Sequence, residues 1–390
     1  MKKLIIHGTL IDGCGNKPIE NSSVIIEDGK ITYVGEYRDE HLNGTCEVID
    51  ASGKYIIPGL IESHGRLHDN YDLPNVLKGF LRCGITTVAG LMGGSKCLDF
   101  KNSISNANRS EYPDILLGRV VSGTNCHIKD YTPLNSDGPW EVRRTVRDYA
   151  QEHIDFIKTT ASGGFWKKDD EYLKRDYTRE ELFALADEAH AWNLPCSVHC
   201  HINPGLGNSI DAGIDQIHNG VYIDEKSCEK MAEKGTFYVP ALRLTSQENI
   251  TAFPEDSWKY KELVELNGVH RKAVMNARKA SVRIMVGTNY SFPSTKWLPG
   301  EVTLYEMTEL QKCGYSPLEV IQAATLNNAT GYGIDHKTGS IEAGKNADLL
   351  ILNKSPLEDI SVLSEPGILY KIFKNGEEVL LRQPKPWNSN

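Results

Sequence analysis

The chain has 390 residues, of which 40% are apolar and 24% charged, with a net charge of −9 and a pI near 5.8. That balance suits a soluble globular protein with a large buried core, and it disfavours general nucleic-acid binding and attachment to anionic membranes. No apolar stretch reaches membrane-spanning length, and the run after Met1-Lys2-Lys3 is too short for a signal peptide. The nine cysteines are scattered without a CxxC pair, as expected for reduced thiols in a cytoplasmic protein.

In chain order, the first patterns are three short strands, 3–8, 22–28 and 30–35, punctuated by glycines. Asp28-Gly29 between two apolar runs is a hairpin signal. The far end mirrors this, with strand patterns at 347–352, 368–373 and 378–381 and a turn at Asn375-Gly376. The two ends, 1–57 and 343–390, are expected to meet in one small β-sandwich flanking a central domain over 58–342.

Between them strand and helix patterns alternate. Strands are expected at 56–62, 84–88, 115–122, 154–160, 196–200, 214–218, 236–242 and 283–288. Amphipathic helices are expected at 73–83, 141–152, 178–192, 224–234, 258–280, 302–313 and 317–330, with Thr178 and Glu181 forming a capping box. Eight such units point to an α/β fold, a TIM-like (β/α)8 barrel, over the alternative of a doubly wound open sheet. No Gly-rich nucleotide fingerprint follows the first barrel strand.

Chemistry in such barrels sits at the C-terminal strand ends. The residues expected there are His64 and Arg66, His127, Lys158, His199 and His201, His218 and Asn219, Arg243, and Thr288-Asn289. Any one of them has a dull reading as a hydrogen-bonded structural group. Their repetition at successive strand ends is harder to explain that way, because charges are rarely buried without partners. Strand alternation places Glu62, His64 and Arg66 on one face, where Glu62 could neutralise Arg66 or Lys158. Cys200 falls on the outward face and reads as core.

The stretches VIDASGKYIIPGLIESHGRLH, GITTV, DFIKTTASGG, DEAHAWNLPCSVHCH, AGIDQIHNG and VGTN, with SPLEVIQAATLNNATGYGIDHKTGSIEAGKNADLLIL near the end, resemble the amidohydrolase superfamily, in its prolidase-like and imidazolonepropionase-like branch. The resemblance covers nearly the whole chain. It implies a metal centre built from a His-x-His on strand 1, a Lys or Glu on strand 4, a His on each of strands 5 and 6, and an Asp on strand 8. His64, Lys158 and His199 match. Arg66 stands where the second His belongs, Asn219 where the strand-6 His belongs, and Asn289 where the Asp belongs. Arg66 cannot ligate a cation, and Asn289 cannot take a proton.

Three readings follow, in this order. The first is a metal-independent pocket acting on a small anionic molecule by elimination, isomerisation, cyclisation or hydrolysis. In it Arg66 replaces the metal's charge, and His64, Lys158, His199, His218 and Asn289 make up the catalytic set. The second is a one-zinc hydrolase of C–N bonds with Lys158, His199 and a register-shifted His218 as ligands. The third is a ligand-binding homologue without catalysis. His127, His201, Tyr222, Arg243 and Tyr290 are the candidate substrate contacts. The segment 163–172 is a candidate cover for the pocket, and 290–293 with Trp297 a candidate aromatic wall. A small-molecule substrate is the expected partner, with no nucleic acid or membrane, and a homo-oligomer is the ordinary default.

Overall fold

Two sheets organise the chain in the computed structural model, which describes residues 2–42, 46–91, 93–104, 108–128, 135–165, 173–290 and 297–380. The first segment supplies β1 (Lys3–Leu10), β2 (Ile19–Glu27), β3 (Lys30–Glu36), β4 (Glu47–Asp50) and β5 (Tyr55–Pro58). The central segment supplies β6 (Leu60–Arg66), β7 (Ile85–Leu91), β8 (Asp114–Val120), β9 (Phe156–Thr160), β10 (Cys196–Cys200), β11 (Gln216–Asn219) and β12 (Phe237–Val239). The last segment supplies β13 (Leu349–Leu352), β14 (Leu369–Lys374) and β15 (Glu377–Glu378).

Both ends of the chain join in one eight-stranded sheet of order β15-β14-β13-β5-β1-β2-β3, with β4 also on β1. The sheet parts along β1, whose residues 3–6 pair with β4 and whose residues 9–10 pair with β5. Alternating residues of these strands, among them Ile5, Val24, Ile26, Ile49, Ile56, Leu349, Ile351 and Phe373, bury one apolar cluster. Strands from both ends of the chain thus lie in a single branched sheet.

β6 to β12 run parallel in sequence order, as right-handed strand–helix–strand units dictate. The place of the eighth expected strand is taken by a closing segment, residues 284–290, which pairs only through isolated bridges. Its hydrogen bonds reach both edges: Met285 N–H donates to the Tyr238 carbonyl (2.9 Å), Ser63 N–H to Val286 (3.1 Å), and Asn289 N–H to His64 (2.9 Å). Parallel bridges Tyr238–Ile284 and Gly65–Tyr290 complete the ring. Asn328 pins the seam, accepting from Val286 N–H (3.0 Å) and donating to the Ile61 carbonyl (2.6 Å). The helix expected over 317–330 breaks at Thr325 into Pro317–Ala324 and Leu326–Gly331. Helices Ser95–Ser103 and Gly205–Asp211 were not expected; the first is weakly amphipathic, the second short and Gly-containing.

Sheet and barrel meet where Gly59 separates β5 from β6. A Cβ there would lie 2.2 Å from the Thr86 hydroxyl oxygen, so only glycine fits the crossing. Beside it the fully buried Lys374 ammonium donates to Asp348 (2.9 Å) and Asp114 (2.8 Å), tying β14 to β8. Replacing Lys374 by Met leaves the Asp348 carboxylate buried without its cation. We expect a loss of about 3–5 kcal/mol in urea or thermal unfolding, and Asp348→Asn in the same background should recover much of it.

Candidate active site

The pocket begins with an irregularity in β6. Glu62 pairs with Val88 and Gly65 with Gly90, so β6 carries one extra residue at Ser63-His64. Such a bulge breaks strict alternation, and Glu62 does not share a face with Arg66 in the simple way the sequence suggests. Its carboxylate is fully buried. One oxygen accepts from the N–H groups of His64 (2.8 Å) and Thr288 (2.9 Å), the other from the Thr303 hydroxyl (2.7 Å). Neutralisation of Arg66 or Lys158 by hydrogen bonding to Glu62 is therefore not observed. Burial raises this carboxyl above its ordinary value, opposed by those donors.

The three departures from the expected metal pattern lie side by side in one hydrogen-bond chain. Arg66 Nε donates to Asn289 Oδ1 (2.9 Å), and Asn289 Nδ2 donates to Asn219 Oδ1 (3.3 Å). Asn219 Nδ2 in turn donates to His199 Nδ1, and His199 Nε2 donates to the Gly163 carbonyl (3.3 Å). Asn219 and Asn289 both adopt left-handed backbone angles (φ 71° and 49°), which asparagine tolerates better than most residues. The Tyr238 hydroxyl holds the first of these ends, lying 3.1 and 3.0 Å from the carbonyls of Asn219 and Gly220.

A second chain crosses the floor. Gln216 Nε2 donates to the Gly331 carbonyl (2.7 Å), His218 Nε2 lies 3.0 Å from Gln216 Oε1, and His218 Nδ1 lies 3.0 Å from His64 Nδ1. Lys158 is 4% exposed, and its Nζ has no hydrogen-bond partner among the described residues. Burial, then the Arg66 charge, pushes its pKa well below the usual lysine range. Burial likewise pushes His64, His199, His201 and His218 well below 6.5, reinforced for His64 by His218, for His199 by His201 and for His218 by Lys158. The centre of the pocket thus combines the Arg66 guanidinium, neutral imidazoles and a lysine biased towards the free amine.

The candidate contact residues surround this centre. His127 Nδ1 is 2.8 Å from Asp176 Oδ2, and the rings of His127, His199 and His201 follow one another at 4.6 Å (tilted) and 4.5 Å (edge-to-face). His201 faces Phe165 at 4.9 Å, and its Nε2 lacks a partner among the described residues. Arg243 is buried over the Tyr290 ring at 4.7 Å. Burial lowers its pKa to about 10, and the same burial raises neighbouring Glu306 to about 8. Tyr222 is half-buried against the apolar cluster around Phe165 and Leu244. Cys200 is fully buried in the core, as expected, with its thiol pushed up to about 12. Residues 166–172 and 291–293, most of the expected cover and wall, lie outside the described residues. Trp297 packs on Tyr305 at 5.1 Å.

Sequence reasoning missed Gln216, Asp176, Glu306 and His270. Gln216 sits two residues before His218 on the same strand face, the one signal that could have exposed it. His190, Cys196 and Asp215 also cluster, but at the N-terminal end of β10. There Asp215 accepts from Cys196 N–H (2.7 Å) just as Asp155 accepts from Leu117 N–H (2.6 Å), each aspartate preceding one strand and holding its neighbour.

Comparison with known proteins agrees with this geometry. The amidohydrolase family model matches residues 55–379. Ochratoxinase of Aspergillus niger is 34% identical over 441 aligned residues, spanning 99% of this chain and 88% of the relative. Its crystal structure superposes with a TM-score of 0.83 at 27% identity, covering 97% of this chain and 95% of that one. Imidazolonepropionase of Symbiobacterium thermophilum is 22% identical over 93% of this chain and 91% of its own length. A Xaa-Pro dipeptidase with bound methionine shares the fold, with a TM-score of 0.82 at 24% identity over 97% and 99% of the two chains. The chain belongs to the amidohydrolase family.

The residues present do not fit that family's metal centre. Arg66 is itself a cation. Asn289 Oδ1 accepts from Arg66 Nε, Asn219 Oδ1 accepts from Asn289 Nδ2, and all four ring nitrogens of His199 and His218 are hydrogen-bonded within the protein. Of the residues expected for the alternative three-ligand zinc site, His218 is level with His199, and its Nδ1 faces His64.

His270, fully buried against Thr245 (2.9 Å), gives the site a pH signature. Burial lowers its pKa to about 4. The unfolded chain binds this proton near pH 6.5 and the folded chain only near 4, so stability is intact above 6.5 and falls as pH drops through that window. The loss from this group is about 3 kcal/mol by pH 4. Unfolding at stepped pH should show this slope, and His270→Gln should flatten part of it.

Proposed function

We propose that the chain is a metal-independent amidohydrolase-type enzyme that hydrolyses an amide-like C–N bond in a small anionic substrate, with Arg66 supplying the positive charge at the reacting centre. The observation behind this reading is the chain Arg66–Asn289–Asn219–His199. It joins all three departures from the metal pattern into one satisfied network, with the guanidinium at its head. A half-buried guanidinium can polarise a carbonyl oxygen and stabilise the developing oxyanion without metal. Lys158, biased towards its free amine and unpartnered among the described residues, adds a group able to bind or exchange a proton with the substrate. Arg243 above Tyr290 suits a carboxylate on the substrate. Ochratoxinase, by its name, acts on ochratoxin, so ochratoxin belongs in the first substrate panel with N-acyl amino acids and carboxylate-bearing lactams.

Metal analysis of the purified protein, followed by turnover of that panel before and after chelation, tests the proposal. We expect less than stoichiometric metal and chelator-insensitive turnover. Tightly held zinc whose removal abolishes activity would overturn it. Arg66→Met should lower kcat/KM by about 100-fold or more, and kinetics unchanged by that substitution would take Arg66 out of the mechanism. Absence of turnover across the panel, with binding retained, would favour a ligand-binding role.

A further inference from the structure

Both hydrogen-bond chains end on groups that can play only one part, so the proton positions along them follow from chemistry. A guanidinium can only donate. Asn289 must therefore turn its oxygen to Arg66 and its NH2 to Asn219, which must turn its own NH2 to His199. His199 Nδ1 is then an acceptor, and its proton lies on Nε2, towards the Gly163 carbonyl. On the other side a backbone carbonyl can only accept. Gly331 thus fixes the NH2 of Gln216, and Gln216 Oε1 must accept from His218 Nε2–H. His218 Nδ1 is an acceptor in turn, and His64 Nδ1, 3.0 Å away, must donate to it. His64 is left with a bare lone pair on Nε2, which has no hydrogen-bond partner among the described residues.

We propose that His64 Nε2 is the proton acceptor of this site, and that Gln216 is a positioning residue which fixes that tautomer through His218. The proposal rests on the metal-independent reading above and gives it a base. Asn289 cannot take a proton, and neither hydrogen-bond chain holds the Lys158 amine in place. In the step implied, a water beside His64 loses a proton to Nε2 as its oxygen bonds to the carbonyl carbon, and the carbonyl electron pair moves to the oxygen facing Arg66. The pair returns as the C–N bond breaks, and the leaving nitrogen takes the proton from His64. Water is consumed, and no other reactant is required. The two imidazoles differ: His64 keeps a lone pair on Nε2, whereas both ring nitrogens of His199 are engaged within the protein.

Long-range nitrogen–proton NMR of the 15N-histidine-labelled protein, as purified, tests this without a substrate, with His64 and His199 assigned from His64→Gln and His199→Gln. We expect His64 as the Nδ1–H tautomer and His199 as the Nε2–H tautomer. Gln216→Leu should turn His64 into a tautomer mixture. Gln216→Glu, which still offers His218 an acceptor, should retain the Nδ1–H form. With any substrate that turns over, Gln216→Leu should lower kcat about 10-fold or more with little change in KM. A His64 proton found on Nε2 overturns the proposal even if Gln216→Leu does not fold, as does a His64 tautomer that Gln216→Leu leaves unmoved. The spectrum is independent of turnover. A chelator-sensitive zinc activity would sink the role of Arg66, and a wrong tautomer would sink the role of His64.

Discussion

The site depends on one buried carboxylate. Glu62 lies on the bulge of β6 and accepts hydrogen bonds from that bulge, from the closing segment at Thr288 and from the helix Glu301–Lys312 at Thr303. A carboxylate sealed from water is costly unless its lone pairs are satisfied, and here three donors from three elements converge on it. Closure of the ring and placement of the pocket are therefore one event. The contacts that bring Thr288 to Glu62 also bring Asn289 alongside Arg66. Were the bulge absent, His64 and Arg66 would shift face, and the seam would lose the N–H that orients Glu62.

Around that seam Arg66 leads a chain of amides that ends on a neutral imidazole, and Arg243 lies over an aromatic ring. Amides carry polarity without charge, so they orient protons without adding a counter-charge of their own. An anion entering such a pocket meets an attractive potential strengthened by low dielectric. Aspartate at position 289 would quench that field through an ion pair with Arg66, so asparagine there and arginine at 66 belong together physically.

Much of this was legible in the sequence. Period-two runs separated by amphipathic stretches gave the barrel, because parallel strands need helical crossovers, and strand-end position picked out His64, Arg66, Lys158, His199 and His218. The bulge was not legible: one extra residue in β6 leaves the composition of the stretch unchanged. The inward turn of Asn219 depends on a left-handed backbone at the strand end, where His218 and Asn219 both reach the interior instead of alternating. Asp176 and Glu306 lie far in sequence from the groups they serve, on segments that read as ordinary loop and helix. The closing segment pairs too sparsely to count as a regular strand, although its residues were correctly placed in the ring.

The branched sheet has a consequence for how the chain is made. β5 precedes β6 with only Gly59 between them, yet its antiparallel neighbour β13 is translated after nearly the whole barrel. Until β13 emerges, β5 presents an open edge that includes Ile56 and Ile57, both fully buried in the finished protein. Such an edge is a template for pairing with other chains. The nascent chain must hold it apart from its neighbours throughout barrel synthesis, so aggregation during production will be governed by the wait for β13 and respond to translation speed.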